Sequence, residues 1–249
     1  MNVEKEYLVM RYCAVIAVAV TFAAGCALHP PEIAPLLEIP RIEEEVRVDG
    51  ILDESCYRSH PPFENFVVAG NPARQAPSTH AWLFWNEETL VCAFVCEDTS
   101  PAWMPPSLNE REVDPQDRVE LFIWRDEAAP VYACIEAAPG GAVHDYAARF
   151  YRKFDDRWSP AGGWARQAKI DPSGYSIEMA LPRAAMEAMG VTLASGVRFR
   201  LGLFRADYDV LDGTPVWITW VDHGREPDFH VADSFGTAVL SLWESRAAR

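Results

Sequence analysis

Hydrophobic and polar positions alternate along most of the chain with the period of two that half-buried β-strands show. In residues 117–124, Val119 and Leu121 fall on one face, whereas Glu120 and Phe122 fall on the other. The same alternation, or a short apolar run between turn residues, predicts further strands. They lie at 63–68, 78–85, 89–97, 131–137, 143–150, 164–170, 174–181, 197–205, 215–221 and 236–242.

Turn residues separate these strands, and one short helix interrupts them. The helix is predicted from Pro182, which suits a first helical turn, to Gly190, which suits a C-terminal cap. Many short strands with one small helix predict an all-β fold, an antiparallel two-sheet β-sandwich with one short helix. The pattern shows neither an internal repeat nor a second domain.

The N-terminal segment is predicted to be an export signal. Residues 12–25 are uncharged and apolar, but they are too short for a bilayer span, which needs about 20 residues. The end of this segment, Ala23-Ala24-Gly25-Cys26, resembles a bacterial lipobox. Residues 1–25 are therefore predicted to be a signal peptide, and Cys26 to be the lipidated first residue of the mature chain. An ordinary cleaved signal and an uncleaved anchor are the alternatives, and Met10 competes with Met1 as the start.

The residues after Cys26 bear on where the protein resides. Ala27 follows the cysteine, and by resemblance to lipoprotein sorting in diderm bacteria this favours the outer membrane. Residues 26–40 are rich in proline, which favours an extended tether. The sequence thus predicts an exported protein, lipid-anchored to the outer membrane at the cell surface or its periplasmic face, with a folded domain at 41–249.

The composition excludes one class of partner. The chain of 249 residues has 22 Lys and Arg against 37 Asp and Glu, a formal net charge of -15. Such an acidic surface repels phosphate backbones, so nucleic acid is not expected as a partner. Hydrophobic residues make up 49%, which is typical of a folded globular chain.

Four cysteines lie within the predicted domain: Cys56, Cys92, Cys96 and Cys134. In an oxidising compartment they could form up to two disulfides, with three possible pairings. Cys92 and Cys96 lie on one predicted strand, too far apart to bond to each other. Four buried free thiols are the alternative.

Motifs of catalysis are absent from the sequence. There is no G-x-S-x-G, H-E-x-x-H, P-loop or dinucleotide-binding glycine pattern. Paired carboxylates can hydrolyse glycosides, so a glycoside hydrolase stays open, although catalysis is not expected. No cofactor is expected either, except that the acidic loop 107–118 could hold Ca²⁺ or be merely solvated.

Several motifs together resemble the family 9-like carbohydrate-binding modules. Residues 49–54 (DGILDE) with Tyr57, residues 85–90 (WNEETL) and residues 117–122 (DRVELF) follow that family's order and spacing. The resemblance covers about residues 41–242, nearly the whole predicted mature chain. It implies a distorted jelly-roll sandwich, in agreement with the predicted strands.

The resemblance also implies a site. Glu120 matches a glutamate that accepts sugar hydroxyls between two aromatic rings in the family. Phe229 falls near one platform ring; the other falls near Asp114, which is not aromatic, and Trp103 is the candidate to replace it. Glu136 stands where those modules have a sugar-binding arginine. The predicted polar rim consists of Arg205, Glu136 and His230.

These inferences predict a non-catalytic carbohydrate-binding lipoprotein that captures a glycan at the cell surface. Its expected partners are a poly- or oligosaccharide, the membrane and glycoside hydrolases. The alternatives are a glycoside hydrolase or another component of a polysaccharide-degrading system, and a surface scaffold that binds no sugar. Glu120 also has a structural alternative, in which it bonds to backbone or pairs with Arg205 in a half-buried network.

Overall fold

Two β-sheets form the framework of residues 35–242, the part of the chain that the computed structural model describes. The larger sheet contains β1 (Leu36–Pro40), β2 (Val67–Val68), β5 (Arg118–Trp124), β6 (Tyr132–Ala137), β7 (Val143–Arg149), β8 (Lys153–Asp155), β11 (Arg198–Asp207), β12 (Val216–Thr219) and β13 (Gly236–Ser241). The smaller sheet contains β3 (Thr79–Trp85), β4 (Thr89–Glu97), β9 (Ala165–Asp171) and β10 (Gly174–Pro182).

Strand order in the larger sheet is β1-β13-β11-β5-β6-β7-β8, with β12 on β11 and β2 on β12. The smaller sheet has the order β3-β4-β10-β9. Neighbouring strands are antiparallel except β1 and β13, which are parallel. The predicted all-β sandwich is confirmed.

The folded domain begins earlier than the sequence predicted. Leu36–Pro40 was assigned to the tether, but it pairs with β13 as an edge strand, and Ile39 is fully buried. Proline is tolerated at a sheet edge, where its missing N–H breaks no ladder. Residues 36–40 therefore belong to the folded domain and not to the predicted tether. Residues 26–34, including Cys26, and the predicted signal peptide 1–25 lie outside the described residues.

Within residues 35–242, two short α-helices are present rather than the one predicted. Helix α2 (Arg183–Ala188) lies within the predicted span, while α1 (Ser55–Ser59) was missed. Five residues are too few to show helical periodicity. Among residues 35–242, no helix is long and apolar enough to cross a bilayer.

The larger sheet is covered on both faces. Leu121 and its period-two neighbours on β5 pack between the sheets in the main core. Phe122 and Trp124 point the other way and pack with Phe229 and Phe235, which come from the segment before β13. This second apolar cluster on the outer face of β5 and β6 adjoins the candidate site.

The motif at residues 49–54 has a structural role. The backbone N–H groups of Asp49 and Gly50 donate to Glu178 Oε2 at 3.0 and 2.6 Å, and the Tyr57 hydroxyl donates to Oε1 at 2.8 Å. Glu178 lies on β10 and is buried. Its carboxylate therefore links the segment at residues 49–57 to the smaller sheet. These hydrogen bonds give the motif at residues 49–54 a structural role that requires no ligand.

The four cysteines are free thiols, and all are buried. Cys92 and Cys96 lie in the main core, Cys134 in the outer apolar cluster and Cys56 beneath the smaller sheet. Burial raises the pKa of Cys56 to about 12 and that of Cys96 to about 11. These thiols are consequently protonated and unreactive at neutral pH.

Candidate functional site

A row of side chains crosses the outer face of the larger sheet. The strand register places Phe204 opposite Glu120, Glu120 opposite Glu136, and Glu136 opposite His144. Directly opposed residues share a face of the sheet. Two carboxylates and an imidazole thus stand side by side, and all three are almost fully buried.

One arginine serves both carboxylates. Arg118 precedes Glu120 by two residues and so lies on the same face, with its Nε 2.9 Å from Glu120 Oε1 and 2.8 Å from Glu136 Oε2. Its Nη1 donates to the Asp114 carbonyl at 2.7 Å. The guanidinium also lies 5.5 Å from the ring centre of Trp217, a cation–π distance.

The electrostatics of this pair are unusual for acidic side chains. Burial and the negative charge of Glu136 both raise the pKa of Glu120, Arg118 opposes them, and the net result is a pKa of about 8. Two neighbouring carboxylates that share one cation favour a state in which one of them holds a proton. Near neutral pH, Glu120 can therefore act as a hydrogen-bond donor as well as an acceptor.

His230 lies beside the carboxylates between two tyrosines. Its Nδ1 is 2.9 Å from the Tyr132 hydroxyl, and its Nε2 is 3.4 Å from the Tyr146 hydroxyl. The Tyr146 hydroxyl donates to Glu136 Oε1 at 2.7 Å. Burial lowers the pKa of His230 to about 4, and the charge of Arg152 acts in the same direction, so the imidazole is neutral at pH 7.

A small pocket of about 90 Å³ opens on this row. Arg152 and Asp228 also line it, joined by an ion pair of 2.9 Å. The pocket combines one half-buried indole with charged hydrogen-bonding groups. Its principal lining residues are Arg118, Glu120, Glu136, Trp217, Phe229 and His230.

Four of the predicted site residues meet at this pocket: Glu120, Glu136, Phe229 and His230. Phe229 stacks on Phe204 with ring centres 4.0 Å apart, and it is only 6% exposed. It therefore fills the outer cluster as well as lining the pocket. The pocket-lining aromatic ring that is partly accessible to solvent is instead that of Trp217, which is half-buried.

Arg205 was predicted as part of the rim, and this is wrong. It lies opposite Val119 on the other face of the sheet, inside the sandwich. Its guanidinium donates to the carbonyls of Ser78 and Glu97, each at 3.0 Å, and pairs with Asp207. The alternative pairing of Glu120 with Arg205 is wrong for the same reason, because the partner of Glu120 is Arg118.

Trp103 does not line the pocket either. It is 41% exposed, and its ring lies against Gly140, where an added Cβ would come within 2.4 Å of Cε3. This places Trp103 on the turn between β6 and β7. The prediction that it replaces a missing platform ring is not supported by its position.

Sequence reasoning missed Arg118, Trp217 and Arg152 as pocket residues. A signal for Arg118 existed, because a residue two positions before Glu120 on a strand shares its face. Trp217 lies on the predicted strand 215–221, where an aromatic side chain is usually a core residue. Arg152 lies in the turn between β7 and β8, which has no periodicity to place it.

Raising the pH from 6.5 to 8 is expected to lower the free energy of unfolding. At pH 6.5 the folded state holds protons on Glu120, with a pKa of about 8, and on Asp117, whose pKa burial raises to about 7, and it loses them as the pH rises towards 8. The unfolded chain has already released them, so folded-state stability falls as pH rises. Urea denaturation at the two pH values measures the change.

Glu120→Gln is expected to reduce this pH dependence but not abolish it, because Asp117 still titrates. Glu187→Gln, at an exposed position on α2, is the control and should leave the dependence unchanged. Equal stability of the unaltered protein at both pH values would contradict the protonated state inferred for Glu120.

Comparison with known proteins supports the fold. No family model matches the chain, and no curated protein sequence matches it. A solved structure of a candidate carbohydrate-binding protein from Bacteroides uniformis is similar over 84% of this chain and 100% of that chain, with a TM-score of 0.67 and 15% identity.

Two structures from Caldicellulosiruptor kristjanssonii show a family 9 carbohydrate-binding module in complex with cellotriose and with glucose. Their TM-scores are 0.57 and 0.54, their identities 14% and 12%, and both cover 86% of this chain. The matched regions make up 98% and 100% of the two module chains. The chain therefore has the fold of these modules, and the resemblance found in its sequence is confirmed at the level of fold.

Proposed function

We propose that this protein binds a carbohydrate at the Glu120 pocket and does not itself cleave it. The observation that carries the proposal is the meeting of Trp217 with Arg118, Glu120 and Glu136 in one pocket of a family 9-like sandwich. A sugar presents an apolar ring face and a rim of hydroxyls. An indole and fixed charged groups complement these two features.

The size of the pocket limits how the sugar binds. A volume of about 90 Å³ is below the range of about 300–1,000 Å³ that encloses a whole small ligand. It admits one edge of a sugar ring, whose hydroxyls would bond to Glu120 and Glu136. The ring face would rest on Trp217. This arrangement suits a terminal sugar or an exposed ring of a longer glycan.

The proposal includes export and membrane anchoring. The lipobox-like Ala23-Ala24-Gly25-Cys26 supports lipidation of Cys26, and Ala27 supports the outer membrane as destination. Several buried acyl chains hold a protein firmly, at about 0.8 kcal/mol per CH₂. The anchored domain would hold a glycan near glycoside hydrolases that degrade it.

The test measures binding of the purified chain to immobilised glucans and xylans. The detergent must have no sugar headgroup, so that it does not compete for the pocket. We expect the unaltered protein to be retarded in an affinity gel. Trp217→Ala should weaken binding at least ten-fold, because ring stacking and the cation–π contact of Arg118 are both lost.

Trp103→Ala is the matched control, because Trp103 is an exposed indole away from the pocket, and it should bind like the unaltered protein. Equal binding by the Trp217 variant would refute this site. No binding to any glycan would favour the scaffold alternative, whereas hydrolysis of a chromogenic glycoside would favour the hydrolase.

A further inference from the structure

A second cluster of ligand-type atoms lies beside the pocket. One ligand atom from each of Asp114, Glu136 and His144 lies within 4.8 Å of the other two. His144 lies on β7 opposite Glu136, and Asp114 follows the turn of 3-10 helix at Glu110–Val113. Three segments of the chain thus converge on one point.

The geometry around His144 fits a metal better than a set of hydrogen bonds. The imidazole is 3% exposed, and neither ring nitrogen makes a hydrogen bond. Its Nδ1 lies 3.4 Å from Asp114 Oδ1. Two ligands of one tetrahedral zinc ion, each about 2.0–2.1 Å from it, are separated by about 3.4 Å.

On the other side of the imidazole, a carboxylate lies where metal-bound histidines have their second hydrogen-bond partner. His144 Nε2 faces Asp156 Oδ1 at 3.4 Å, and Arg111 holds that carboxylate with bonds of 2.7 and 2.9 Å from Nη2. A carboxylate on the second nitrogen orients the ring and makes the ligating nitrogen more basic.

The local charge balance also favours a cation. Four carboxyl groups face the cluster, and two arginines, Arg111 and Arg118, pair with them. Even with one proton shared by Glu120 and Glu136, one negative charge is left for His144 and any bound ion to offset. The carboxylates are those of Asp114, Glu120, Glu136 and Asp156. The Asp114 side chain is 49% exposed, which gives an ion a path from solvent.

We propose that Asp114, Glu136 and His144 bind one divalent metal ion of the zinc class and leave a fourth position open. Arg118 and Tyr146 contact the Glu136 oxygens, but each oxygen keeps a second lone pair. An imidazole with two carboxylates is a donor set for zinc, whereas calcium takes six to eight oxygens.

This assignment differs from the Ca²⁺ site considered for the loop 107–118. The acidic side chains of this loop do not converge on one point. Asp114 lies with Glu136 and His144, whereas Asp117 lies with Asp98 and Asp207. Glu136 is shared with the sugar pocket, so a bound ion would hold one wall of that pocket in place. The metal proposal stands on its own observations and does not depend on sugar binding.

The test uses the full chain, purified in detergent, stripped with a chelator and then dialysed against Zn²⁺. We expect about one zinc per chain by elemental analysis and a melting temperature that rises with Zn²⁺ concentration. His144→Gln and Asp114→Asn should each lower the Zn²⁺ affinity at least ten-fold, as should Asp156→Asn through the orientation of His144.

His80→Gln is the control, because His80 lies half-exposed on β3 away from the cluster, and it should bind Zn²⁺ like the unaltered protein. If His144→Gln does not fold, Asp114→Asn decides the question, because its side chain is half exposed. Absence of stoichiometric zinc, or unchanged affinity in Asp114→Asn, would overturn the proposal. Retention of Ca²⁺ in place of Zn²⁺ would overturn the assignment of metal class.

Discussion

Arg205→Met is expected to lower the free energy of unfolding by about 3–5 kcal/mol, as removal of one partner from a buried ion pair does. Arg205 is fully buried between the sheets, where it pairs with Asp207 and lies 3.7 Å from Asp98. Methionine fills much of the same volume, but it leaves these carboxylates and two backbone carbonyls without their donor. Equilibrium denaturation in urea measures the loss.

The control is Arg157→Met, which removes an arginine whose side chain is 91% exposed. Surface changes of this kind are usually within about 0.5 kcal/mol. A loss below about 1 kcal/mol in Arg205→Met would mean that the carboxylates are not charged in the folded state. That result would refute the network described for the sandwich interior.

Most strands could be predicted because burial of one strand face produces an alternation of hydrophobic and polar residues with a period of two. On β11, for example, Leu201 and Leu203 share the core face and are separated by a residue of the outer face. Strands at the edges of the sheets show this alternation less clearly. β8 has three residues, all exposed, and β1 is recognisable as a strand only because β13 lies beside it.

The site was partly predictable for a different reason. Glu120 and Glu136 were found through a family motif and a strand pattern that agree with the observed register. Arg205 follows Leu201 and Leu203 at the same two-residue spacing on β11, so the strand pattern places it on the core face. It was nevertheless predicted at the rim of the site, because fully buried arginines are rare and charged side chains are expected at the surface.

The error over Trp103 has another origin. Residues 101–107 form an irregular segment, and no periodicity relates a side chain there to a face of the sheet. The partners of such a residue are decided by tertiary contacts, here with Gly140. Trp103 was chosen because it lies in the same loop as Asp114, and closeness along that loop was a poor guide to distance in space.

Arg118→Met is expected to produce a loss of similar size, about 3–5 kcal/mol at pH 8, with a pH dependence of its own. It removes the guanidinium that contacts both Glu120 and Glu136. The two buried carboxylates then repel each other, and protonation relieves the repulsion. The loss should therefore be smaller at pH 5.5 than at pH 8, as urea denaturation at both pH values would show.

The matched comparison is the triple variant Arg118→Met, Glu120→Gln, Glu136→Gln. Replacing a whole buried charged group is often neutral or stabilising, so the triple variant should recover most of the stability that the single variant loses. It should not recover glycan binding, because the charged hydrogen-bonding groups are gone. Recovery of both would show that these residues serve the fold alone, and recovery of neither would show that Arg118 acts through packing on Trp217 rather than through charge.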